Sequence, residues 1–149
     1  MSGQAVQDVV EAVLLFEEKA ADSVTVYFVS DAKMRKYHKV FFKDASPTDC
    51  ISLPLDSDYS LHLPFRHLGD ILICPNTAHN YVKNDNSLFW RELTLYLVHS
   101  LLHLLGFDDT TKLLKEQMRK EERRAMRQLV KKGLLLTGTF RSSNRQKQS

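Results

Sequence analysis

The sequence predicts an α/β fold: a single compact domain with a small, mostly parallel (mixed) sheet of about four strands, helices on its faces and one helix at its centre. Two patterns lead there. Segments with apolar residues at three- and four-residue spacing alternate with short runs rich in β-branched and aromatic residues, such as Val24-Thr25-Val26-Tyr27-Phe28-Val29. One later segment, ending near Leu105, is apolar nearly all around, which suits a helix buried in the middle of a domain. At 149 residues the chain is long enough for one domain that buries about two thirds of its unfolded surface.

The elements follow in order. Val6, Val9, Val10, Val13 and Phe16 recur with helical period and predict an amphipathic helix over Ala5–Ala21 that covers a sheet. Asp22-Ser23 breaks that period, and Val24–Val29 reads as a strand. Ser30 or Asp31 can cap a helix over Ala32–Val40, with Lys33, Arg35, Lys36 and Lys39 pointing largely outward. Asp49–Leu53 is a short apolar strand bounded by Pro47 and Pro54. Leu55–Leu68 has no period and is expected to be a long surface loop, with His62 and His67 as weak metal-ligand candidates. Gly69 opens a near-continuous apolar strand, Asp70–Cys74, whose composition implies burial on both faces. A short helix over Asn76–Lys83 comes next. Asn84–Ser87 then forms a turn with several possible caps, and the central helix runs from it to Leu105. Thr110 or Thr111 caps a last helix to Lys132, closed by Gly133, and the polar, basic stretch Thr137–Ser149 is expected to be a disordered tail outside a 1–136 domain.

Chemistry concentrates in Leu93–Asp109, L-T-L-Y-L-V-H-S-L-L-H-L-L-G-F-D-D. His99 and His103 stand four apart among helix formers, so on a helix their imidazoles lie on one face a turn apart and can grip one metal ion. Imidazoles interrupting an apolar run also need partners for their nitrogens, which raises this reading above chance pairing. Gly106 can take the left-handed conformation that ends a helix, and the reversal brings Asp108 or Asp109 toward the imidazoles. The result, H-x-x-x-H-x-x-G-x-x-D, has three ligands and an open fourth position, the layout of a catalytic zinc site. A membrane span is a poor rival, since the apolar run after Glu92 carries both histidines and falls short of the ~20 residues a bilayer needs.

This stretch resembles the signature of the YbeY family of ribosomal RNA maturation endoribonucleases, whose usual form is H-G-x-L-H-L-x-G-Y-D-H with three zinc-binding histidines. Ser46-Pro47-Thr48-Asp49-Cys50-Ile51-Ser52-Leu53-Pro54 is similar to the family's K-P-T-D-V-L-S-F-P, and Leu68-Gly69-Asp70-Ile71-Leu72-Ile73 to its L-G-D-I-x-I. Asp109 stands where the third histidine is expected, Ser100 replaces a glycine, and Phe42 takes the place of a common arginine. The resemblance implies one Zn²⁺ held by His99, His103 and Asp109, with Asp108 matching the family's own aspartate before the third ligand. A carboxylate in the ligand set also opens the site to Mn²⁺ or Mg²⁺. It further implies a hydrolase that cuts ribosomal RNA at the small ribosomal subunit, with ribosomal proteins or an assembly GTPase as further partners. Two rivals remain: a zinc-containing assembly factor that binds without cutting, and a zinc protease of metzincin outline. Against the protease, Ser100 stands where such enzymes carry a general-base glutamate, and serine cannot replace a carboxylate in that role.

Charge points the same way. Met1–Thr110 holds nine Lys/Arg against fifteen Asp/Glu, and Thr111–Ser149 holds twelve against three, so the basic surplus is C-terminal and favours a polyanionic partner. On the last helix Lys115, Arg119, Arg123, Arg127 and Lys131 recur every fourth residue, flanked by Lys120 and Arg124, as a candidate RNA-backbone ridge. No membrane partner is expected, because the basic segment lacks a bulky aromatic face. Cys50 and Cys74 are isolated, and no charged n-region with an apolar h-region opens the chain, so a reducing cytoplasm is the expected location.

Overall fold

Three strands form one sheet in the order β1-β3-β2, where β1 is Ser23–Phe28, β2 Cys50–Pro54 and β3 His67–Ile73. The computed structural model describes residues 2–42, 48–54, 67–83 and 85–138. Most of the expected 55–68 loop, with His62, and the tail beyond 138 lie outside the described residues. β3 pairs in parallel with β1, from Ser23↔His67 to Phe28↔Ile73, and antiparallel with β2, from Cys50↔Ile73 to Pro54↔Gly69. The sheet is therefore mixed, with three strands among the described residues where about four were expected. The apolar runs at 24–29, 49–53 and 70–74 supply these three, and no further described run has strand composition.

Being central, β3 buries both faces, as its composition implied. Ile71 and Ile73 enter the main core, while Leu72 faces the other side with Met34, Ile51 and Cys74. β3 also begins earlier than expected, which removes His67 from any loop. Its Nδ1 lies 2.6 Å from Ser23 Oγ on β1 and its Nε2 3.2 Å from Asp70 Oδ1 on its own strand, so both nitrogens already have partners within the sheet.

Helices cover both faces. α2 (Asp31–Phe42) lies on the Leu72 side, anchored by Met34, and Asp31 at its start ties it to α3 (Pro75–Tyr81). Cys74 Sγ and Asn76 Nδ2 donate to the two Asp31 oxygens at 3.0 and 3.1 Å. On the opposite face α4 (Asn86–Leu104) packs against β2 and β3, with α1 (Gly3–Phe16) and α5 (Lys112–Lys132) outside it. α4 buries Phe89, Trp90, Leu93, Thr94, Tyr96, Leu97, Val98, Ser100, Leu101, Leu102 and Leu104, which makes it the central helix. Asp85 caps its start by accepting from the Ser87 and Leu88 amides.

The helix ends follow one chemistry. At Gly106 (φ 105°) and Gly133 (φ 68°) the chain turns left-handed, and the Phe107 and Leu134 amides reach back to the Leu102 and Leu129 carbonyls. α1 closes the same way on Glu18 (φ 54°), with Lys19 N–H on Leu14 O at 2.9 Å. That closure stops α1 five residues before the expected Ala21, because three consecutive residues after Phe16 are already committed to it.

Just beyond α1, Glu17 is nearly buried beside Glu121, with Arg124 Nη2 at 3.6 Å. Burial, followed by the hydrogen bond and charge of Glu121, pushes Glu17 up to about 7, against 4.5 ordinarily. The folded chain thus keeps a proton that the unfolded chain loses, and stability falls as pH rises from about 4.5 to about 7. Glu17→Gln, neutral throughout, is expected to raise the melting temperature at about pH 8 and to change it little at about pH 4. Thermal melts of both proteins at the two pH values check this, and an equal shift at both would disprove it.

Candidate metal centre

His99 and His103 project from consecutive turns of α4, each about one quarter exposed, and the turn at Gly106 swings Asp109 over them. The Nε2 atoms of the two imidazoles are 3.0 Å apart, and Asp109 Oδ2 lies 3.7 Å from the first and 3.5 Å from the second. Three ligands held at ~2.0–2.2 Å from one tetrahedral ion stand about 3.3–3.6 Å from one another, a spacing that the three observed distances bracket, so the chain's own geometry fits such an ion. Among the described residues this is the group of three or more His, Cys, Asp and Glu side chains able to hold one. Asp108 is not part of it. The Asp109 amide and the Thr110 hydroxyl donate to its two oxygens at 2.8 and 3.0 Å, and these bonds, the Asp109 amide first, hold its carboxyl below the usual range.

A residue that sequence reasoning passed over completes the geometry. Glu122 Oε1 on α5 lies 2.5 Å from His99 Nδ1, which fixes the tautomer and leaves Nε2 facing Asp109 and His103. Burial disfavours the charged imidazole of His99, but Glu122, with Asp109 and Asp49 beyond it, outweighs burial and raises its pKa. A cation binding at Nε2 competes with protonation of that nitrogen. The available signal was that Glu122 is one of three acids in an otherwise basic segment. Asp49, at the end of the P-T-D motif, is the second omission. It lines both clefts that meet at His99, and the Cys50 amide holds its Oδ1 at 2.8 Å.

One of these clefts, about 220 Å³, runs toward α5 and brings Lys115 and Arg119 beside His99, Asp109 and Glu122. The other, about 410 Å³, opens toward α2, where Phe42 and His38 form a ring pair 5.2 Å apart and share the wall with His99 and His103. A third cleft of about 480 Å³ between α4 and α5 gathers Arg91, Arg119, Arg123 and Arg127. The basic ridge is thus divided. Lys115 reaches the metal cleft, Arg119 borders two clefts, and Lys131 is exposed in the last turn. Arg124, expected on its flank, instead donates to Phe16 O at 3.2 Å and meets Glu17 and Glu121. A larger groove between α1 and β1, about 650 Å³, holds none of these residues.

Ser100 and Cys50 are structural. Ser100 is fully buried, so the residue that follows the first histidine cannot act on a substrate as the metzincin outline requires. Burial, with Asp49 adding to it, raises the Cys50 thiol far above the ordinary range and keeps it inert. No helix among the described residues is long and apolar enough to cross a membrane.

An α/β layer carrying a helix-borne His-x-x-x-His pair, a turn and a third acidic ligand defines the class: a protein with the layout of a metal-dependent hydrolase. The family model described as Endoribonuclease YbeY matches residues 2–130, and the chain belongs to that family. It is 45% identical over 101 residues to Endoribonuclease YbeY of Protochlamydia amoebophila, covering 68% of this chain and 66% of that protein. With Endoribonuclease YbeY of Chlamydia abortus it shares 37% over 137 residues, covering 90% of this chain and 86% of the relative. The solution structure of TM1509 from Thermotoga maritima has the same fold, with a TM-score of 0.56 at 20% identity over 93% of this chain and 90% of that one.

Proposed function

We propose that this chain is a metal-dependent endoribonuclease of ribosomal RNA maturation, in which His99, His103 and Asp109 hold one Zn²⁺. The observation that supports it most is the ligand triangle of 3.0, 3.5 and 3.7 Å in a chain of the YbeY family. When bound, the ion supplies Lewis acidity toward a phosphoryl oxygen and makes water a better nucleophile near neutral pH. The chain's own residues do the rest. His99 and His103 present Nε2 from a rigid, buried helix, Glu122 keeps the proton of His99 on Nδ1, and Asp109 closes the triangle. In the reaction one water is consumed: its oxygen bonds to phosphorus and one phosphorus–ester oxygen bond breaks. The departing ribose oxygen takes that electron pair and gains a proton, while the new phosphate end keeps the rest of the water.

Arg119, Arg123 and Arg127 meet phosphates of the RNA, with Lys115 and Lys131 at the ends of the same ridge. RNA of the small ribosomal subunit is the substrate, ribosomal proteins or an assembly GTPase are the accompanying partners, and the cytoplasm is the place of action. The test incubates purified protein with small-subunit ribosomal RNA, with and without chelator, beside His103→Ala. Discrete fragments that chelator and His103→Ala both abolish are expected. RNA that is bound but stays whole would instead establish an assembly factor that does not cut.

A further inference from the structure

We propose that the basic ridge has two functions, with Arg119, assisted by Lys115, contacting the scissile phosphate itself and only the arginines beyond it following the backbone. This rests on the endoribonuclease reading and adds reacting-centre residues to it. The cleft that His99 and Asp109 face is rich in acid: Asp49, Glu92 and Glu122 line it as well. An ion of charge +2 is balanced there by Asp109 and Glu122 alone, so an incoming phosphodiester gains little net attraction from the centre. The lysine and arginine lining that cleft are Lys115 and Arg119.

Both are exposed and stand one turn apart on α5, and Arg119 stands three residues before Glu122, whose carboxylate touches His99. The buried Met118 pins this part of the helix against the core, which fixes where its neighbour points. Arg119 is also where two clefts meet, since it lines the metal cleft and the one that Arg91, Arg123 and Arg127 share. A guanidinium fork can grip two non-bridging oxygens of one phosphate, whose charge grows as phosphorus becomes five-coordinate. Arg123 and Arg127 follow one and two turns further along α5 and, of these two clefts, line only the second, so the chain positions them for neighbouring phosphates.

The two functions separate in kinetics. Metal-loaded Arg119→Ala is expected to lower kcat on small-subunit ribosomal RNA by about 100-fold, with Arg119→Lys recovering part of it. Metal content and melting temperature should match the parent. Arg127→Ala is expected to show its loss as a several-fold rise in KM. If Arg119→Ala also raises KM and keeps kcat, Arg119 is one more backbone contact and the proposal falls while the endoribonuclease reading stands. A parent protein that binds the RNA without cutting it would overturn the reading, and the clamp with it.

Discussion

Asp109→Ala is expected to weaken divalent-ion binding by more than about 100-fold, beyond the loss typical of removing a mere supporting hydrogen bond. Two imidazole nitrogens 3.0 Å apart still offer a pair, but the one anionic donor in the triangle is gone. Asp108→Ala should leave the affinity close to that of the parent, because both Asp108 oxygens are already engaged by Asp109 and Thr110. Asp109→His is a sharper probe. A neutral third imidazole raises the net charge of the loaded centre by one, so the ion draws more strongly on its water and hydrolysis should begin at lower pH. The softer ligand set should also favour Zn²⁺ over Mn²⁺. Competition titration against a chromophoric chelator measures all three variants, and parental zinc affinity in Asp109→Ala would remove Asp109 from the ligand set.

Gly69→Ala is expected to cost about 3–5 kcal/mol of stability, from a close approach and a strained backbone acting together. At φ 149° a side chain is disfavoured, and a Cβ would sit 2.5 Å from Leu53 O and 2.9 Å from Leu104 Cδ2. The carbonyl belongs to the sheet and cannot yield without breaking the β2–β3 register. Leu104 is the last residue of α4, one position past His103, so the contact that excludes a side chain also seats the end of the metal helix. Gly106→Ala makes a useful comparison. Its φ is 105° but nothing lies within 4 Å of a Cβ there, so backbone strain of about 1–3 kcal/mol is the whole expected cost. Urea denaturation of the two variants should rank them in that order, and equal midpoints would contradict the steric account.

The elements that the sequence made legible were those whose signal is local. Helical period located α1 and α5, a long segment apolar nearly all around located α4, shorter apolar runs located the strands, and Gly106 and Gly133 marked two helix ends. The end of α1 was not legible because Glu18, not a glycine, takes the left-handed turn there. His99, His103 and Asp109 could be picked out because they lie within one short stretch whose spacing fixes their relative directions. Glu122 meets His99 from another helix and Asp49 lines the same clefts from beside a strand, and no spacing rule connects positions brought together only through packing. Charge alone likewise could not divide the ridge. Arg124 looks like its neighbours in sequence, yet its position on the helix turns it toward Glu17 and Phe16.

The pairing of β1 with β3 bears on the order in which the chain acquires its shape. Bonding Ser23 to His67 joins positions 44 apart, so the sheet forms only after a long loop has closed. α4 and α5 are neighbours in the chain and meet across a short turn, a closure that costs less entropy. Every side chain of the ligand triangle, and the Glu122 that steadies it, falls within residues 99–122. The candidate metal centre is therefore encoded in one helical hairpin. The sheet, which supplies the surface this hairpin settles on, carries the longer-range pairing and is expected to form the later of the two.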